Sequence, residues 1–327
     1  MKARFELKWA GDGKGGLRAK ARLVLQGFSD PDLLNGELDT SSPTLGRPSR
    51  QVMLSLMSLS AWTATVADVT TAFLQGDPQQ RELWAKLPKD ACDALNMPHG
   101  SLMRLVKPLY GQPDAPRAWY MVAKRRLEHI GYQVHPLDGC LFRLYSQQGQ
   151  LISLVGIHVD DLLIAGDESS AEFLKARQEL REQFSFKHWT PYEDGKPLEF
   201  CGCVLDQQDG AWILHQAPYI KKIHPLTVPP QRSEESSLRG LLGGLQWPST
   251  QTCPHLSASI SLLCGETSKA TIGTLRQANK TLKFAKENID VSLKFPKLCK
   301  PEDAVMVAIC LMQHGGFVKI FKGKGGT

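Results

Sequence analysis

The stretch LISLVGIHVDDLLIAGD, Leu151 to Asp167, restricts the fold more than any other in the chain. It is apolar on both sides of two adjacent carboxylates, Asp160 and Asp161. A continuous buried strand would hold two like charges in an apolar setting, which is costly without partners. The pattern therefore predicts two short antiparallel strands, Leu151 to Ile157 and Leu162 to Ala165, with a bend that displays both carboxylates at a sheet edge. An ordinary turn is the plain alternative, because Asp favours turns. A divalent cation would supply the compensation that a turn leaves out.

The rest of the chain mixes hairpins and helices unevenly, which fits an α+β arrangement better than a regular parallel sheet. Ala3 to Trp9 and Ala19 to Gln26 read as a hairpin around a Gly-rich turn, with Lys20 and Arg22 on one face of the second strand. A helix is expected from near Ser49, then a strand from Thr65 to Val69. Pro88 to Ser101 reads as a connector or short helical excursion. Further helices are expected over Ala115 to Ile130 and Ser169 to Gln183, the second with an Asp or Ser cap. Asp209 and Gly210 mark a second hairpin turn. Pro225 to Glu235 reads as a linker, followed by a helical region from Leu238 to Leu263 interrupted around Pro248 to Pro254, a basic amphipathic helix from Ile272 to Glu287, and a final buried strand VMVAICL.

The net charge of +6 is unevenly placed: Lys269 to Thr327 carries 11 Lys and Arg against four Asp and Glu, so the preceding residues sum to −1. That end suits a polyanion, and equally a solvated helix face. Eight scattered Cys, with only Cys201 and Cys203 close together, give a weak metal or disulfide signal and fit a reducing compartment. No stretch approaches the roughly 20 apolar residues of a membrane span, and the N-terminus lacks an apolar targeting region. An intracellular chain without a membrane role is the expectation.

A third carboxylate shares the setting of the pair. Asp68, in TATVADVTTAFLQGD, ends a β-rich run just before a turn. Mg²⁺ takes few protein carboxylates and completes its shell with water and substrate phosphates. Asp68 and Asp160 on neighbouring strand ends would suit two ions roughly 3.5–4 Å apart, the arrangement for in-line phosphoryl displacement.

Five segments, KARLVLQGF, ADVTTAFLQGD, PLYGQPDAPRAWY, IHVDDLLIAG and LEFCGCVLDQ, occur in the order and approximate spacing of the reverse transcriptase region of copia-type retrotransposon polyproteins. The chain resembles that family from about Ala3 to Lys286, most closely the divergent copies of dinoflagellate algae. The resemblance implies a right-hand polymerase of fingers, palm and thumb with an antiparallel palm sheet. Fingers and palm would occupy residues 1–224, a thumb or connection-like helical region 225–290, and the start of an RNase H-like domain 291–327.

The resemblance assigns roles residue by residue. Asp68 matches the first catalytic aspartate, Asp160 the second metal ligand, and Asp161 its supporting neighbour; the cofactor would be two Mg²⁺, with Mn²⁺ as a substitute. Lys20 and Arg22 match the finger residues that meet the triphosphate, a role suited to charge-assisted hydrogen bonds, although an exposed strand face reads the same way. Phe73 matches the bulky residue that excludes a 2′-hydroxyl, against a core aromatic as the plain reading. Gln112 and Arg117 are expected polar contacts to the nucleotide, with Gly111 permitting close backbone approach and Tyr110 as palm support. Phe200 and Gly202 lie in the matched primer-grip hairpin.

Two departures stand out. His158 replaces the family's usual aromatic before the paired aspartates and is read as support. The strand expected to open an RNase H-like domain lacks its aspartate, and no Asp or Glu follows Asp303, so RNase H activity is not expected. The activity expected is RNA-directed DNA polymerisation, with an RNA or DNA template–primer and deoxynucleoside triphosphates as partners. A homo-oligomer, or a hetero-oligomer with other polyprotein products, is the expected assembly, in a cytoplasmic particle or the nucleus. The competing expectations are a decayed, non-catalytic nucleic-acid-binding protein and a plain metal-dependent nuclease.

Overall fold

Alternation of apolar and polar residues, punctuated by Gly, Pro and Asp, gives the chain its short strands, and helical spacing of apolar residues gives the elements that cover them. The computed structural model describes residues 1–11, 16–227 and 234–297. They form an α+β fold, and the chain divides into two compact units, one of residues 1–49 and 65–190 and the other of residues 50–64 and 191–327.

In the first unit, β1 (Ala3–Gly11) and β2 (Leu17–Leu25) form an antiparallel ribbon. Beyond its base both faces are exposed: Leu7 and Trp9 are each about three-quarters accessible on one face, and Lys20 and Arg22 project from the other. Ala3 and Leu25 anchor the base against Leu83, Ala85 and Leu105. β3 (Thr63–Val69) enters this unit at Thr65, and β4 (Leu83–Lys86) pairs with β5 (Leu102–Leu105). The main sheet adds β6 (Gln133–His135), β7 (Asp138–Tyr145), β8 (Leu151–His158), β9 (Asp161–Gly166) and β10 (Phe186–Pro191), in the order β10-β3-β9-β8-β7-β6.

β8 and β9 are therefore interior strands. Their residues are buried almost without a break, which accounts for apolar runs with no polar alternation. The paired aspartates accordingly lie at the turn of an antiparallel hairpin, as the bend in the sequence predicts, and that hairpin is interior to the sheet. Helix Ala115–Ile130 buries Trp119, Val122, Ala123 and Leu127, and Gly131 ends it in the left-handed region at φ 108°. Helix Ala171–Gln183 begins at Ser170, whose hydroxyl accepts from the Phe173 N–H.

In the second unit, β11 (Leu198–Phe200), β12 (Cys203–Gln208), β13 (Ala211–His215) and β14 (Leu293–Phe295) form one antiparallel sheet. Asp209 and Gly210 both have positive φ, as a two-residue type I′ turn requires. Helices Glu234–Gln251, Ser257–Gly265 and Ile272–Glu287 bury Leu238, Leu242, Leu245, Ile260, Leu275 and Leu282 in one cluster. Thr271 and Thr274 cap the last helix reciprocally.

The interruption expected around Pro248 to Pro254 falls at residues 252–256, between the helix that ends at Gln251 and the one that begins at Ser257, and Pro248 itself lies inside the first helix. The helix runs through Pro248 to Gln251, and the Thr252 and Cys253 N–H groups donate to the Pro248 carbonyl. Residues 228–233 of the expected linker, the hairpin turn at 12–15 and the expected final strand lie outside the described residues. Among the described residues no helix is long and apolar enough to cross a membrane.

Candidate active site

Two strand ends create the site. The Val69 N–H donates to the Asp160 carbonyl at 2.9 Å, so the residue after Asp68 is tied through the main chain to the hairpin turn. In that turn His158 pairs with Asp161, leaving Val159 and Asp160 as the two loop residues. Val159 has φ 59°, a left-handed value that is costly for a β-branched side chain. Its carbonyl accepts from Trp119 Nε1–H at 2.7 Å, and Trp119 is itself buried, so the packed helix fixes the strained turn.

Lys20, Arg22, Asp68, Tyr110, Asp160 and Lys187 meet around one cavity of about 400 Å³. The structure thus brings together two predicted carboxylates, 92 residues apart in sequence, with both predicted basic residues of the ribbon. The ribbon is held by the segment under the cavity. The Leu25 N–H donates to the Tyr110 carbonyl at 2.8 Å, and a Cβ on Gly111 would fall 2.2 Å from the Leu25 carbonyl oxygen. Gly111, at φ 83°, therefore permits the close approach of this chain's own strand.

The Arg22 guanidinium carbon lies 5.4 Å from the centre of the Tyr110 ring, and Phe73 packs on Tyr110 with ring centres 5.0 Å apart. Burial raises the Tyr110 phenol pKa above its ordinary value; Arg22 opposes that, and Asp160 and Asp68 add to it. Tyr110 remains a neutral hydroxyl at physiological pH. Phe73 supports the cavity through Tyr110, and it is Thr71 and Leu74 from the same segment that line the space.

The other predicted residues fall elsewhere. Gln112 is buried, donating to Gln79 Oε1 and Asp114 Oδ1 at 2.8 Å each. Arg117 bonds the Ser41 carbonyl and the Asp39 carboxylate. His158, Asp161 and Gly111 do not line the cavity. In the second unit, Phe200 is fully buried and pairs with Cys203 across a turn whose central residues, Cys201 and Gly202, both have positive φ. A Cβ on Gly202 would lie 2.2 Å from the Trp247 ring, so only glycine fits there.

Lys187 escaped the sequence reading because the strand from Phe186 to Pro191 was not anticipated. Its Nζ donates to Asp68 Oδ2 at 3.0 Å. The usable signal was a short run after a helix, with a lone Lys among the aromatics of FSFKHW.

Among the described residues no group of three or more His, Cys, Asp or Glu forms a metal cage. The donor set at the cavity is two carboxylates, which fits an ion that draws most of its shell from water and phosphate oxygens. Lys187 on Asp68 shows that this carboxylate already accepts a cation.

Residues 4–226 match the family model described as "Reverse transcriptase (RNA-dependent DNA polymerase)", and the chain belongs to that family. It is a retroelement-derived domain related to plant copia-type Pol polyproteins. It is 29% identical over 281 residues to the "Retrovirus-related Pol polyprotein from transposon RE1" of Arabidopsis thaliana, covering 79% of this chain and 18% of that protein. Identity to the polyprotein from transposon TNT 1-94 of Nicotiana tabacum is 32% over 220 residues, 67% of this chain and 16% of that protein. The RE2 polyprotein of Arabidopsis thaliana is 28% identical over 276 residues, with coverage of 79% and 18%. The chain spans less than a fifth of the length of each of these relatives.

Proposed function

We propose that the chain is the RNA-directed DNA polymerase region of a copia-type retroelement, adding deoxynucleotides to a primer 3′-hydroxyl on an RNA or DNA template. One observation carries the reading: Asp68 and the Asp160 turn, joined by a main-chain hydrogen bond, line one cavity with the ribbon's Lys20 and Arg22. The primer oxygen would form a bond to the α-phosphorus as the bond to pyrophosphate breaks.

Asp68 and Asp160 would hold Mg²⁺, or Mn²⁺ in its place, and the bound ions supply Lewis acidity at the attacking and leaving oxygens. Lys20 and Arg22 neutralise and orient the polyphosphate from the opposite wall. Tyr110, backed by Phe73, gives the sugar a flat neutral floor and leaves little room for a 2′-hydroxyl. Trp119 keeps Asp160 on station by holding the Val159 carbonyl. In a right-hand reading the ribbon belongs to the fingers and the main sheet to the palm; the helices after Glu234 belong to the thumb. Asp161 and His158 support the turn, and Phe200 with Gly202 shapes the hairpin that meets the primer. Gln112 and Arg117 act by holding the segments around the cavity.

A primer-extension assay with Mg²⁺ tests the proposal. Asp68→Asn and Asp160→Asn should each lower incorporation by roughly 10²- to 10³-fold, the range for removing one group that stabilises transition-state charge. Equal extension by wild type and both variants refutes it. A second reading, a nucleic-acid-binding protein without catalysis, draws on the Lys187–Asp68 pair and the two-carboxylate donor set. It predicts salt-sensitive template–primer binding with no extension by the folded wild-type chain.

A further inference from the structure

We propose that Lys187 is a resident counter-ion of Asp68 that a divalent cation displaces and that the phosphates of an incoming deoxynucleoside triphosphate then engage. The inference rests on the polymerase reading and adds a residue that the reading of the sequence did not single out.

The geometry is direct. Asp68 ends β3 and Lys187 stands on β10, its neighbour in the sheet, and the ammonium lies 3.0 Å from Asp68 Oδ2. The Asp68 side chain is 28% exposed and that of Lys187 is 47% exposed, so this is a half-solvated pair on a flexible stem, the kind that contributes little to stability. A divalent ion bound by the same oxygen carries twice the charge and releases the lysine. The freed ammonium cannot leave the neighbourhood, because Lys187 is part of the cavity wall with Lys20 and Arg22.

Three cations then face two carboxylates around one space, and each charge state has a use. Without a metal, Lys187 offsets Asp68 and lowers the repulsion between the two acidic strand ends. With metal and triphosphate present, the same ammonium meets the added negative charge as a compact, mobile point donor.

This arrangement makes two effects of opposite sign, which a merely structural lysine would not produce. Lys187→Gln removes the competitor of the metal, so Mn²⁺ alone, read as free-ion loss by electron paramagnetic resonance, should bind roughly 3- to 10-fold tighter, as expected for deleting one positive charge near a divalent ion in screened solvent. The same variant should bind a non-hydrolysable deoxynucleoside triphosphate several-fold more weakly. Lys187→Arg should keep both properties near wild type. Asp68→Asn identifies the Mn²⁺ that belongs to this site. If wild type binds no Asp68-dependent Mn²⁺, the metal reading and this inference fall together. If Asp68-dependent binding is present but unchanged in Lys187→Gln, the counter-ion role alone is overturned. Tighter Mn²⁺ with unchanged triphosphate affinity overturns the hand-over to phosphate.

Discussion

Removing the Arg81 guanidinium should destabilise the chain far more than an ordinary surface substitution. Arg81 donates to both oxygens of Asp30 at 3.1 Å, to Asp32 at 2.6 Å and to both oxygens of Asp114 at 3.0 Å. Burial works against its charge, and the three carboxylates outweigh burial, so its pKa is raised above the ordinary arginine value. The Asp30 side chain is 0% exposed, and apart from Arg81 its carboxylate accepts the N–H of Asp32 at 3.1 Å.

Arg81→Met keeps the apolar stem and leaves Asp30 as a buried charge without its cation, a loss of about 3–5 kcal/mol. Asp32 and Asp114, at 38% and 21% exposure, turn toward water and add at most about 1 kcal/mol. Urea unfolding followed by far-UV circular dichroism measures this as a lower midpoint at unchanged slope. Asp30→Asn in the Arg81→Met background should recover much of the loss, because the buried charge is then gone. A loss below about 1 kcal/mol, or a double variant no more stable than Arg81→Met, refutes the reasoning.

Val159→Gly should relieve a left-handed β-branched residue and raise stability by about 0.5–2 kcal/mol after the entropic cost of glycine, seen as a higher urea midpoint; a lower midpoint contradicts the strain. Burial pushes the Tyr132 phenol up to about 12, with the Ser153 hydrogen bond opposing. The folded state then binds the proton more tightly than the unfolded chain near pH 10, so this stabilisation is complete below pH 10 and disappears between about 10 and 12. Tyr132→Phe should flatten the alkaline fall in stability between pH 9 and 11.5, and an unchanged slope would exclude Tyr132 as its source.

The positions of the candidate site residues were legible where charge interrupts an apolar pattern. Asp160 and Asp161 could be placed at a hairpin end because a buried strand gives two carboxylates no partner. Asp68 could be placed because a strand ends there, and Lys20 with Arg22 because alternate strand residues share a face. The helices at Ala115–Ile130 and Ile272–Glu287 were legible to the residue from their apolar spacing.

Long-range pairing was not legible. No local signal places Lys187 beside Asp68, because strand order is decided by which faces can be buried together. Gln112 reads as a free polar contact in sequence and is instead consumed by Gln79 and Asp114. The break expected around Pro248 to Pro254 is present, but it follows Gln251 and not Pro248 itself, while Leu238, Leu242 and Leu245 of that helix are packed in the core.

The bond from the Val69 N–H to the Asp160 carbonyl has a consequence for how such elements age. It joins peptide groups, so exchanging either aspartate for a residue of similar size removes a carboxylate while the main-chain link that spaces the two positions persists. On the proposed polymerase reading, selection for copying acts on the two carboxylates, whereas folding depends on the Val69 N–H and the Asp160 carbonyl. A variant that lost one carboxylate would keep the main-chain link between the two strand ends and the basic ribbon beside them.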